Sequence, residues 1–197
     1  MPDPLAALLA EIADCRICAA HLPHQPRPVV RASAGARILI AGQAPGRKVH
    51  ESGVPWDDAS GDRLRQWLGV DKDVFYDSRH IALVPMGFCY PGSAASGDLP
   101  PRPECMQHWH GRLLPQLGQL RLRIIIGQYA LRYHLPDLAG RPLTGIVTGW
   151  RDLPAGTFVL PHPSPRNQGW FKRHPWFEQD LIPVLQDQVR QATLAIR

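Results

Sequence analysis

Apolar residues along this chain fall into two rhythms. Short continuous runs of aliphatic and β-branched residues break off at glycine or proline: Arg37-Ile-Leu-Ile-Ala-Gly-Gln43, His80 to Met86, Arg123-Ile-Ile-Ile-Gly127 and Val159-Leu-Pro-His162. Runs without polar alternation mark strands buried on both faces of a parallel sheet. Between them the spacing changes to three and four. Leu5 to Ile12 reads as a short helix, and Leu64, Trp67 and Leu68 mark a second one with Ser60 as its N-cap and Gly69 closing it. Further helices are predicted from about Glu104 to Leu117, from Gln128 onward, and from about Trp176 to Ile196, while the proline-rich stretch Pro23 to Pro28 reads as an extended connector. Strands alternating with helices predict an α/β fold of three layers, α/β/α, around a central, mainly parallel four-stranded sheet. Chemistry in such sheets collects beyond the carboxyl ends of the strands. The loops Gln43 to Ser60, Met86 to Pro103 and His162 to Trp170 are therefore expected to converge on one face.

The remaining composition narrows the class. With 197 residues and 44% hydrophobic content the chain can bury one sizeable core, which argues against disorder and does not demand a second domain. No run is apolar enough to span a bilayer and no secretory leader opens the sequence, so a cytoplasmic protein with reduced thiols and no membrane partner is expected. The formal charge is +5, and only three of the 22 cationic side chains are lysines (Lys48, Lys72 and Lys172). Arginine suits planar, bidentate contact with phosphate. Arg166, Lys172, Arg173 and His174 are interleaved with Trp170, Phe171, Trp176 and Phe177, a mixture that offers both phosphate contacts and stacking platforms and points to nucleic acid.

All four cysteines are accounted for by Cys15-x-x-Cys18 near the start and the pair Cys89 and Cys105, which flank a loop rich in glycine and proline. A single site of four thiolates explains them without remainder, whereas a redox dithiol would need only the first pair. Either a zinc tetrahedron or an iron-sulfur cluster fits the spacing.

Gly42-Gln-Ala-Pro-Gly46 followed by Ser52-Gly-Val-Pro-Trp56, together with Leu160-Pro-His-Pro-Ser-Pro-Arg-Asn167, resembles the two signature loops of the uracil-DNA glycosylase superfamily, in the same order and at the same ends of the chain. The cysteine positions are similar to those of its iron-sulfur families 4 and 5, and the His-Pro-Ser-Pro-Arg-Asn wording is closest to the single-strand-selective uracil glycosylases. The resemblance implies one glycosylase-like domain over residues 1–197 that hydrolyses the N-glycosidic bond of uracil or another deaminated base in DNA, as a monofunctional enzyme and a monomer. It implies a 4Fe-4S cluster on Cys15, Cys18, Cys89 and Cys105, with zinc as the alternative. It places His162 as the donor to the departing base, Trp56 as the ring that stacks on the everted base beside Ala44, Gly46 and Met86, and Ser164, Pro165, Arg166 and Asn167 as the loop that enters the DNA, supported by Lys172 and Arg173.

Two departures stand out. Gln43 replaces the water-activating carboxylate of family 4, and Ala44 stands where other branches have asparagine. An amide can orient water but does not accept its proton. Water activation is then expected of a residue further along the loop, His50 or Glu51, with Asp57 and Asp58 behind them. The base-reading asparagine of families 4 and 5 is also missing from Val84-Pro-Met-Gly-Phe88. A protein of the same fold that binds nucleic acid without cutting, or with altered specificity, is the alternative. A metal-thiolate redox or sensor protein is a third reading that leaves the His162 loop unexplained.

Overall fold

The computed structural model describes residues 3–95 and 97–194. Four parallel strands form the central sheet: β1 (Ile38–Ala41), β2 (Ile81–Leu83), β5 (Leu122–Ile126) and β6 (Thr157–Leu160), in the order β2-β1-β5-β6. The register opposes Ile38 to Ile81 on one side and to Leu122 on the other, and Ile124 to Phe158. Successive side chains of a strand point to opposite faces. Ile38 and Ile40 accordingly join a core built with α3 (Ala59–Leu68), α6 (Gly127–His134), α7 (Leu143–Thr148) and α9 (Ile182–Leu194), whereas Leu39 joins a second core with α1 (Pro4–Ala13) and α5 (Pro103–Leu113). Two cores on two faces make the expected three layers.

Helix starts follow their capping chemistry. Asp3 accepts from the Leu5 N–H at the start of α1, and Asp71 accepts from the Val74 N–H at the start of α4 (Lys72–Tyr76). The cap of α3 is Asp58, two residues before the expected Ser60. Asp58 accepts from the Gly61 N–H at 2.8 Å, and Gly69 ends the helix with φ 66°, as the sequence implied. The final helix runs through a π-helical segment, Phe177–Leu181, into α9, and Ala195 and Ile196 lie outside the described residues.

Two loops carry structure that the sequence pattern did not announce. Within Gln43 to Ser60 lies α2 (Arg47–Ser52), six residues with Val49 alone buried, too short to show a period. Within Met86 to Pro103 lies a small antiparallel hairpin, β3 (Ser93–Ala94) and β4 (Gly97–Asp98). After β6 the chain forms α8 (Gln168–Arg173). Strand β6 ends at Leu160, so His162 lies beyond the sheet instead of closing it.

The connector Pro23 to Pro28 forms neither strand nor helix. The residues just after it run antiparallel along the outer edge of β2, with Arg31 N–H donating to Leu83 O at 3.0 Å, Leu83 N–H to Arg31 O at 2.7 Å, and Val29 N–H to Phe88 O at 2.7 Å. No helix among the described residues is long and apolar enough to cross a membrane.

Candidate active site

A cavity of about 250 Å³ opens at the carboxyl ends of β1, β2 and β6. The loop after β1 contributes Gln43, Ala44, Gly46, Trp56 and Asp58 to its lining, and the loop after β6 contributes His162, Ser164 and Arg166. The indole of Trp56 and the imidazole of His162 stack with centroids 5.7 Å apart and planes 29° from parallel. The two signature loops therefore meet in one cleft.

Each ring is held by its own scaffold. Trp56 has φ 58°, the left-handed region that a bulky residue rarely adopts and that costs on the order of 1 kcal/mol or more. Helix α3 supports it: the guanidinium of Arg65, only 5% exposed, donates to Trp56 O at 3.2 Å, while also pairing with Asp62 at 2.6 Å and contacting the Tyr76 hydroxyl. Gly61 is essential to this approach, because a Cβ there would lie 1.7 Å from Trp56 O. Gly42 gives the indole its seat, since a side chain at that position would meet the ring at 3.0 Å.

His162 is held by its own loop. The Ser164 N–H donates to Nδ1 at 3.2 Å, which leaves the ring proton on Nε2, and Asn167 Nδ2 donates to His162 O at 2.8 Å. Burial pushes the imidazole pKa below its ordinary value, while the carboxylates of Asp58 and Asp98 pull it back upward. The result is a neutral ring with one N–H to give in a partly desolvated pocket.

The other expected residues are distributed differently. Gln43 lines the cavity, but its amide donates to Leu99 O at 3.1 Å, so it ties two loops together. His50 and Glu51 do not line the cavity. Val49 takes the inward position of α2, and His50 turns outward to His24 and Tyr90, with ring centroids at 5.2 and 5.9 Å. Burial, and then the charges of His24 and Arg27, lower the His50 pKa. Glu51 faces solvent 3.8 Å from Arg47. Arg27 caps this short helix from outside by donating to the carbonyls of His50, Glu51 and Ser52. Met86 is buried in the core, and its neighbour Pro85 reaches the cavity instead. Asn167 braces the histidine loop, whereas Pro165, Lys172 and Arg173 are exposed and do not line the cavity.

Two lining or supporting residues were missed from sequence. Asp98, on β4, enters the cavity from the hairpin. Arg65 supports Trp56 from behind, and its only sequence signal is an arginine adjoining Leu64 on the buried face of a helix.

The four cysteines, all free, line a separate small recess together with Trp109, Phe88 and Arg102. The Phe88 N–H points at Cys105 Sγ at 3.2 Å and the Trp109 ring N–H at Cys15 Sγ at 3.4 Å. Burial pushes the Cys105 thiol up to about 12 and the Cys89 thiol to about 11, with the neighbouring cysteines adding to both. Burial thus favours the neutral thiol at both positions. Four cysteines lining one recess, with N–H groups aimed at two of their sulfurs, are a donor set of the kind a thiolate-bound cluster uses. No three Cys, His, Asp or Glu side chains among the described residues are arranged to hold a single metal ion.

The family model of the uracil DNA glycosylase superfamily matches residues 30–186, which include both signature loops, Cys89 and Cys105. The chain belongs to that superfamily. The first cysteine pair lies outside the matched region. Among solved structures, the chain is similar to a solution NMR structure of a provisionally named uracil DNA glycosylase from Methanosarcina acetivorans, with 22% identity over 80% of this chain and 93% of that one and a TM-score of 0.45.

Proposed function

We propose that this superfamily member is a monofunctional DNA glycosylase that takes one everted base into the cavity and hydrolyses its N-glycosidic bond, with uracil or another deaminated base as substrate. The observation that carries the reading is the stacked Trp56 and His162 pair on one cavity, the imidazole neutral with its Nε2–H available. Excision leaves negative charge on the base, and a preorganised donor in a partly dry pocket stabilises that charge. Trp56 offers the everted base a stacking wall, a recognition mode used where a base must leave the duplex. Arg166 on the cavity wall and the exposed Lys172 and Arg173 of α8 supply cations suited to DNA phosphates.

The test is incubation of the purified protein with single- and double-stranded oligonucleotides carrying uracil, hypoxanthine or xanthine, followed by alkaline cleavage. Alkali-labile sites at one of these bases are the expected result. Absence of product with all three, alongside retained binding, favours instead a recognition protein of the same fold. That second reading draws support from Gln43, whose amide is committed to Leu99 O, and from Ala44, which leaves the first signature without its usual polar pair.

The recess of Cys15, Cys18, Cys89 and Cys105 is proposed as the seat of a 4Fe-4S cluster, which when bound would tie the N-terminal segment to the loop after β2. Brown protein with a broad band near 400 nm and matching iron and sulfide supports it, whereas colourless protein with stoichiometric zinc replaces it with a zinc site.

A further inference from the structure

We infer that Asp98, delivered by the β3–β4 hairpin, takes over the water-activating role that the first signature loop lacks. This deepens the glycosylase reading and rests on it. The loop after β1 offers the cavity a single carboxylate, Asp58: Gln43 is an amide tied to Leu99 O, Ala44 is apolar, and His50 and Glu51 face away. Asp58 lines the cavity but holds the N-terminus of α3 through Oδ1.

Asp98 is differently placed. Its Oδ1 accepts from Ser93 Oγ at 2.8 Å, and Ser93 is in turn hydrogen-bonded to the Tyr90 hydroxyl at 2.6 Å, so one oxygen is fixed from behind. The other oxygen faces the first signature loop, close enough that a side chain at Gly46 would meet Oδ2 at 3.4 Å. The backbone at this point is pinned from both sides, by Gln43 Nε2 donating to Leu99 O at 3.1 Å and by the Leu99 N–H donating to Gly92 O at 2.8 Å. The neighbouring Gly97 packs under Arg166, whose Nη1 would lie 2.6 Å from a Cβ there, so the hairpin bridges the two signature loops. Asp58 and, less strongly, Asp98 both act electrostatically on His162, which lines the same cavity. An oriented carboxylate opposite a neutral donor is the pairing that hydrolysis needs.

In the step, the water oxygen bonds to C1′ of the sugar as the C1′–N bond breaks. The bond electrons leave with the base, whose negative charge Nε2–H of His162 stabilises. One water proton passes to Asp98, and the released base anion takes a proton from solvent. The same carboxylate opposes positive charge growing on the sugar.

The experiment compares Asp98→Asn, Asp58→Asn and Glu51→Gln with wild type in single-turnover excision, and also measures their affinity for DNA containing a cationic pyrrolidine abasic analogue against a neutral tetrahydrofuran one. Asparagine keeps the volume at position 98 and still accepts from Ser93, and it is an adequate cap at position 58. Asp98→Asn is expected to slow excision about 10²- to 10³-fold, more than Asp58→Asn, and to lose the preference for the cationic analogue, while affinity for the neutral one stays within about threefold. Glu51→Gln stays within twofold. A normal rate in Asp98→Asn, a larger loss in Asp58→Asn, or an undiminished cation preference in Asp98→Asn overturns the inference. A wild-type protein that excises nothing sinks the glycosylase reading separately, and the analogue comparison still decides whether Asp98 faces the sugar.

Discussion

The loops after β1 and β6 face each other across one cavity yet equip it in opposite ways. The β1 loop supplies shape: Gly42 seats the indole of Trp56, whose carbonyl fits over Gly61 of α3, and the ionisable groups of α2 turn outward. The β6 loop supplies a functional group, an imidazole fixed in tautomer and orientation by its own backbone and by Asn167. The two signature loops thus divide the cavity between one that mainly shapes it and one that carries an oriented imidazole. Histidine makes the contrast sharpest, since His162 and His50 both occupy signature loops and both have lowered pKa values, but only His162 reaches the cavity.

The largest expected effect comes from removing the functional side. His162→Ala should slow single-turnover excision about 10²- to 10³-fold, the usual cost of deleting a preorganised donor, with DNA affinity and melting temperature near wild type. Normal turnover in this variant would erase the contrast. Next is the shape side. Arg65→Met removes a charge-assisted hydrogen bond to a strained carbonyl and should cost about 2–3 kcal/mol of stability, measured by urea titration. It should also lower kcat about tenfold by freeing Trp56, seen as a shift in its emission. Arg65→Lys, which restores one donor, should recover part of the rate; an unchanged indole environment in Arg65→Met would show that glycine contacts alone hold the ring.

A third prediction concerns the floor between the loops. His110 is fully buried and hydrogen-bonded at 3.1 Å to the carbonyl of Pro85, a residue of the cavity wall, and burial lowers its pKa to about 4, as it does for His134. The unfolded chain takes up these protons near the ordinary histidine value of about 6.5, so the folded state loses stability as pH falls from about 6.5 toward 4. The loss reaches up to about 3 kcal/mol per histidine. A flat stability profile from pH 7 to 4 would mean that these rings are already charged in the fold. The smallest effect is reserved for His50→Ala, which should leave excision within about threefold; a tenfold loss would return chemistry to the β1 loop.

The strands and the two signature loops were legible in the sequence because continuous β-branched runs have few alternatives to a buried parallel strand and because glycine and proline punctuate the loops. Asp98 was not. It lies in a stretch of small residues and prolines whose side-chain directions exist only once β3 pairs with β4. His50 misled for a related reason: neighbouring positions on a helix point about 100° apart, so the inward place of Val49 in α2 sends His50 away, and six residues are too few to reveal that phase. The cap of α3 shifted to Asp58 because a carboxylate two residues earlier reaches the Gly61 N–H.

The segment just after the connector, which pairs with β2, has a further consequence for handling this protein. An uncovered border strand displays unused amide donors and acceptors that recruit other chains, and in this fold the residues around Arg31 occupy that border on the β2 side. Shortening or rigidly fusing the segment before β1 would uncover it, and self-association of the purified protein would be the first symptom.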